Sequence, residues 1–206
     1  DLGKSALYIS LEDDVTTMAQ RVLCNLTKTS FDLLDRGKPI DEDKFIFAKN
    51  VCKEFDFLVI DEFGYNFEEI GYAVDEMSKG VKPDIVFVDY LQMIDMGDRL
   101  TRYETISRFM REAKVYAIQH KVAFVVLCQI NREAKKGENP HLHHLKEAGT
   151  IEEVADLVFL LKYPERWGEA VEPGEYIVEV AKNKTGRIGT AKVRFVADQM
   201  RFENLY

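Results

Sequence analysis

Three short stretches set a polar side chain where an apolar run stops. "DIVFVDYLQMI" carries Asp89 at the end of its run, "ALYISLED" carries Glu12 and "VAFVVLCQINR" carries Gln129. A carboxylate at the carboxyl end of a buried strand can hold Mg²⁺, commonly through water, beside the β- and γ-phosphates of a nucleotide. A second carboxylate can act as a general base on water, and an amide can sense a phosphate. Asp89 alone is explained equally well as a cap on the following turn, because apolar runs ending in Asp are common. The set carries more weight. If the three runs are neighbouring parallel strands, one crevice receives a base, a metal-binding carboxylate and an amide. Wet strand ends alone account for polarity there, not for these three residue types.

Two basic stretches could meet phosphate. "NREAKKGENPHLHHLKEAGT" (131–150) is long and polar for a connection in a compact domain. It sets Arg132, Lys135, Lys136 and Lys146 against Glu133, Glu138 and Glu147, with His141, His143 and His144 between. It is the best local candidate for contact with a nucleic-acid backbone, or else an ordinary solvated loop. Its "HLHH" lacks the ligand spacing of a metal site. "AKNKTGRIGT" puts Lys182, Lys184 and Arg187 on a hairpin tip. Such cations could reach a neighbouring subunit's γ-phosphate in the manner of an arginine finger, or could discourage edge pairing.

The elements that must position these groups follow from the apolar pattern. "ALYISL", "FLVI", "DIVFVDYLQMI", "VAFVVLCQI" and "ADLVFLL" read as strands apolar on both faces, which suits a parallel sheet covered by helices on both sides. Residues 14–26, 41–55, 66–79 and 101–120 read as helices between them. After Tyr163 the period changes: "EYIVEVAK" and "AKVRFVA" alternate every second residue around "NKTGRIGT", which predicts a C-terminal antiparallel hairpin. "YPERWGEAVEPGE" (163–175) reads as a loop. No repeat or linker interrupts this order, so the 206 residues read as a single α/β domain.

Composition narrows the class further. The formal charge is −8, so the surface as a whole does not attract nucleic acid and any contact must be local. Cys24, Cys52 and Cys128 are widely spaced without a C-x-x-C pair, and Cys24 and Cys128 fall in apolar runs. Together with the lack of a signal-like or membrane-spanning stretch, this predicts a protein of the reducing cytoplasm with no membrane partner.

Taken in order, "YISLED", "DIVFVDYLQMI", "RYETISRFMREAK", "VLCQINR", "LKEAGTIEEVADLVFLL" and "VAKNKTGRIGTAKVRF…RFENL" resemble the C-terminal RecA-like ATPase domain of replicative DNA helicases of the DnaB type. The likeness spans nearly the whole chain, and "LKEAGTIEEVAD" and "RFENL" are its most distinctive parts. It implies a RecA-like, mostly parallel sheet, with ATP and Mg²⁺ as cofactors and single-stranded DNA as the partner. A ring, most simply a hexamer, and contacts with a primase and a helicase loader are implied as well. By the same resemblance Glu12 is the catalytic base, Asp89 the Walker B aspartate at Mg²⁺, and Gln129 the γ-phosphate sensor. Lys146, Glu147 and Gly149 match the stretch that meets single-strand phosphates, with Arg132 in the same loop. Lys182 and Lys184 match the basic pair inserted from the adjacent subunit. The family usually carries Arg at the position of Lys184, and lysine offers a point charge where arginine offers a planar fork. Either Lys184 serves with reduced effect or Arg187 contacts the nucleotide instead.

Gly3-Lys4-Ser5 is a tempting phosphate loop. A P-loop needs G-x-x-x-x-G-K-[ST] between a strand and a helix. Here the upstream Gly is missing and "ALYISL", a strand, follows Ser5. In the resembled family a Gly-Lys pair of this kind joins the P-loop helix to the "SLE" strand. The chain is therefore expected to begin downstream of the P-loop strand and helix, and by itself to hydrolyse ATP poorly. Two functional classes stay open: an ATP-driven helicase motor, or a catalytically degenerate RecA-like scaffold that binds DNA or protein in a replication or phage complex.

Overall fold

The computed structural model describes residues 3–61, 66–95, 100–130, 141–142, 145, 148–167 and 171–205. In chain order the elements are β1 (Ala6–Ser10), α1 (Val15–Thr27), α2 (Phe31–Asp35), α3 (Glu42–Lys53), β2 (Phe57–Ile60), α4 (Phe67–Ser78), β3 (Ile85–Asp89), α5 (Arg102–His120) and β4 (Ala123–Val126). There follow α6 (Ala148–Val154), β5 (Leu157–Lys162), β6 (Glu175–Asn183), β7 (Gly189–Val196) and β8 (Arg201–Asn204). By internal contacts the chain divides into two compact units. One is Asp1–Ala19 with Glu42–Gln129, the other Gln20–Asp41 with Ile130–Tyr206.

The first unit holds a parallel sheet in the order β2-β1-β3-β4. Its strands are short runs of aliphatic and aromatic residues, and burial alternates along β3, β4 and most of β1. Leu7 and Ile9 of β1 and Val86 and Val88 of β3 are completely buried. Helix α4 lies against β1 and α5 against β4, and both bring buried side chains: Ile70 and Val74 from α4, Ile106 and Phe109 from α5. Phe67 stands 5.7 Å from Phe109 and 6.3 Å from Phe124, which ties both helices to β4. Each fully buried aliphatic side chain of this kind contributes about 1.5–3 kcal/mol relative to its exposed state. The opposite face is apolar too, but Tyr8 and Phe87 on it are only half-buried.

The helix starts predicted at 66 and 101 coincide with capping residues. The Asn66 side chain accepts the Glu69 N–H while the Asn66 N–H donates to the Glu69 carboxylate, at 3.0 and 2.7 Å. Thr101 and Glu104 repeat the exchange at the start of α5. Each reciprocal pair satisfies donors that a helix N-terminus otherwise leaves unpaired.

The second unit holds an antiparallel sheet in the order β5-β6-β7-β8. The predicted hairpin is its β6–β7 pair. Two differences from the sequence reading appear here. "ADLVFLL" was expected among the parallel strands, yet β5 pairs antiparallel with β6, and "RFEN" adds β8, which was not anticipated as a strand. The reason is pairing. An apolar run of five residues suits either kind of sheet, and the long period-two strand β6 supplies the edge that β5 takes. The stretch 163–175 is not wholly loop, since Pro164–Trp167 form a 3-10 turn. All three cysteines are free, with Cys24 buried, Cys128 half-buried and Cys52 exposed. Among the described residues no helix is long and apolar enough to cross a membrane.

Candidate active site

In a parallel sheet every strand releases its chain at the same edge. Adjacent strands β1, β3 and β4 therefore deliver Glu12, Asp89 and Gln129 to one rim of the first unit. Ser10 pairs with Asp89 in the ladder, and the Leu11 N–H donates to the Asp89 carbonyl at 2.6 Å, so the end of β1 is fastened to the end of β3. Beyond it the chain bends. The buried Ser10 hydroxyl donates to the Asp13 carbonyl at 2.6 Å and accepts the Asp13 N–H at 3.2 Å. That closed bend carries Glu12 exposed within it. Helix α1 starts directly after. Asp14 accepts the Thr17 N–H and Asp61, at the end of β2, accepts the Val15 N–H, both at 2.7 Å. The Asp14 carboxyl is held below its ordinary value chiefly by that Thr17 N–H. Negative charge at a helix N-terminus is favoured, so the bend holding Glu12 is anchored on both sides.

Asp89 is half-buried, and its carboxylate accepts a hydrogen bond from the Tyr8 hydroxyl. The peptide bond to Tyr90 is cis. The 3-10 turn that follows, Leu91–Met93, carries Gln92. The Gln92 side chain accepts the Gln129 N–H at 3.1 Å and donates to Cys128 Sγ at 3.0 Å. The Asp89 segment and the Gln129 segment are thereby joined through one amide. Tyr8 and Gln92 are the residues that sequence reasoning missed. Both lie inside stretches singled out for other residues, and only the register of β1 on β3 and of β3 on β4 shows what they touch.

The donor set can be tested against a metal. Among the described residues no group of three or more His, Cys, Asp and Glu could hold an ion, so this is not a closed all-protein cage. A single carboxylate at a strand end suits Mg²⁺, which keeps several waters and binds through one or two carboxylates plus substrate phosphates. Asp89 fits that role.

The other predicted residues lie in the second unit or outside the described residues. Arg132, Lys146 and Glu147, with His143 and His144, lie outside them. Gly149 is exposed in the first turn of α6. Lys182 donates to the Glu152 carbonyl, and Lys184 pairs with Asp156 at 3.2 Å. Arg187 is exposed on the turn after β6, and its guanidinium has no partner among the described residues. The turn is well defined. The Asn183 side chain accepts the N–H groups of Thr185 and Gly186 and donates to the Arg187 carbonyl. A Cβ on Gly186 would stand 2.8 Å from Asn183 Nδ2, so a side chain there would have to push the Asn183 amide aside. Gly3-Lys4-Ser5 sits at the opposite end of β1, where Lys4 pairs with Asp84 at 2.9 Å and the Ser5 hydroxyl donates to the Lys82 carbonyl at 2.6 Å.

A parallel sheet with two carboxylates and an amide on one rim does not by itself name a family. A family profile described as the DnaB-like helicase C terminal domain matches residues 2–204. The chain belongs to that family. A probable plasmid replicative DNA helicase of Chlamydia psittaci is 25% identical over 206 residues, covering 94% of this chain and 43% of that protein. The replicative DNA helicase DnaC of Bacillus subtilis (strain 168) is 26% identical over 209 residues, covering 98% of this chain and 46% of that protein. The chain thus spans less than half the length of these two relatives. The structure of a DnaB-like replicative helicase, described with its interactions with primase, superposes with a TM-score of 0.89 at 23% identity, covering 98% of this chain and 51% of that one. The RadB recombinase, at a TM-score of 0.57 and 14% identity, covering 99% of this chain and 80% of that one, shares the RecA-like fold more distantly.

Proposed function

We propose that this DnaB-like domain is the motor of an ATP-dependent replicative helicase that moves on single-stranded DNA as a ring, most simply a hexamer, and unwinds duplex DNA. The observation that carries the reading is the common rim of β1, β3 and β4 with Glu12, Asp89 and Gln129 upon it. Bound ATP and Mg²⁺ would supply the phosphoanhydride and the charge that neutralises it. Glu12, exposed in its closed bend, polarises the attacking water. Asp89 would hold the Mg²⁺. Gln129, tied through Gln92 to the Asp89 segment, reads the γ-phosphate and passes the state toward residues 131–150. Arg132, Lys146, Glu147 and Gly149 meet the phosphates of the DNA strand, while Lys182 and a second cation of the 184–187 turn reach the adjacent subunit's nucleotide. A primase, with which one solved DnaB-like neighbour is described, is a further partner in this reading, and the family resemblance adds a helicase loader and the cytoplasm.

ATP hydrolysis by the intact protein carrying this chain, with and without single-stranded DNA, tests the reading beside Glu12→Gln. The expected result is DNA-stimulated turnover that falls by at least about a hundredfold in the variant while nucleotide still binds. Turnover surviving in Glu12→Gln would remove Glu12 as the base. No turnover in either protein, with DNA affinity indifferent to ATP, would favour the binding scaffold over the motor.

A further inference from the structure

We infer that Tyr8 is a positioning residue for Asp89, fixing the carboxylate orientation on which the binding of metal-nucleotide depends. The inference rests on the reading of Asp89 as the Mg²⁺ carboxylate. In the β1–β3 ladder Tyr8 stands opposite Phe87, and Asp89 opposite Ser10, so Tyr8 and Asp89 share one face of the sheet two residues apart along it. Two residues of strand advance about 6.6 Å, a gap that the length of a tyrosine spans and a serine or threonine does not. The Tyr8 hydroxyl closes the gap by donating to Asp89 Oδ2.

The tyrosine is itself held. Its ring stacks on Phe87 with centroids 5.8 Å apart and an interplanar angle of 26°, and Phe57 stands 6.4 Å away. The backbone of Asp89 is fixed by the N–H of Leu11, the residue that follows the same strand. What stays soft in an aspartate at a strand end is the terminal torsion, which is broad and roughly two-fold. A hydrogen bond to the ionised carboxylate selects one orientation and takes one of its roughly four acceptor positions, leaving the others for the water shell of a cation. Strand β1 thus carries both the base, in the bend that follows it, and the group that orients the metal carboxylate.

The probe is the divalent ion. In the intact protein, Mn²⁺ binding in the presence of a non-hydrolysable ATP analogue is titrated by electron paramagnetic resonance for wild type, Tyr8→Phe, Asp89→Asn and the double variant, beside analogue affinity in EDTA. Phenylalanine keeps the ring contacts and removes only the hydroxyl. Tyr8→Phe is expected to raise the half-saturating Mn²⁺ concentration by roughly three- to tenfold, with metal-free affinity unchanged, and to add nothing in the Asp89→Asn background. An unchanged Mn²⁺ midpoint in Tyr8→Phe, with or without a lower melting temperature, while Asp89→Asn shifts it, would overturn the role of Tyr8 alone. An unchanged midpoint in Asp89→Asn would overturn the reading of Asp89 and the inference with it.

Discussion

Lys184 and Arg187 show how one residue's role depends on what else holds it. Lys184 stands where the resemblance leads one to expect arginine, and in this chain its ammonium pairs with Asp156, both side chains being about half exposed. An exposed pair of this kind is worth at most about 1 kcal/mol and does not lock the lysine in place. Arg187 lies three residues on, exposed, on a turn shaped by Asn183, with its planar fork uncommitted among the described residues. A bidentate phosphate contact favours arginine over lysine. In mixed oligomers of wild-type and variant subunits, Arg187→Ala is therefore expected to lower ATP turnover by tenfold or more, and Lys184→Ala by less than about threefold. The reverse order would assign the trans contact to Lys184.

At the scale of elements, helix α5 shows local chemistry and packing acting together. Its start is set by the exchange between Thr101 and Glu104, and its next turns bury Ile106 and Phe109 completely. The Glu104 carboxyl is held below its ordinary value, chiefly by the Thr101 N–H. A depressed carboxylate contributes stability that is fully present above its unfolded value and is lost as pH falls through the lower folded one. Glu104→Gln keeps an acceptor but cannot ionise. Thermal melts across pH are expected to find wild type more stable than Glu104→Gln at neutral pH, with the difference vanishing below the ordinary carboxylate range. A pH-independent difference would mean that the charge contributes nothing. In the core of the same helix, Phe109→Ala is expected to cost about 3–5 kcal/mol in chemical denaturation, as for other fully buried aromatics.

For the whole molecule, the formal charge of −8 means that attraction to DNA cannot come from the average surface. A motor of this family must concentrate cations where the strand passes. Lys146, which lies outside the described residues, is the candidate with the most direct test. Lys146→Ala is expected to weaken single-strand binding and to flatten the dependence of log affinity on log salt by about one phosphate contact. An unchanged slope would remove Lys146 from the DNA path. The division into two compact units places the strand-end rim in one and the basic turn, with Gly149, in the other. In the proposed reading, catalysis and cation supply would fall to different parts of the chain.

Sequence by itself determined the order of β1 to β7 and of the four longer helices α1, α3, α4 and α5, the starts of α4 and α5, and the placing of Glu12, Asp89 and Gln129 at strand ends, while the short α2 and α6 and strand β8 were not read from it. These are local properties: apolar run length, capping residues and the polar residue that stops a run act on near neighbours and can be read along the chain. Tertiary structure decided which strands pair. "ADLVFLL" was legible as a strand but not as the edge of an antiparallel sheet, because its apolar run suits either partner. Structure also decided the contacts of Tyr8 with Asp89 and of Gln129 with Gln92, between residues 81 and 37 positions apart. A side chain's partner across a ladder depends on register, and a shift of one residue would turn Tyr8 to the other face. No periodicity within a single strand carries that information.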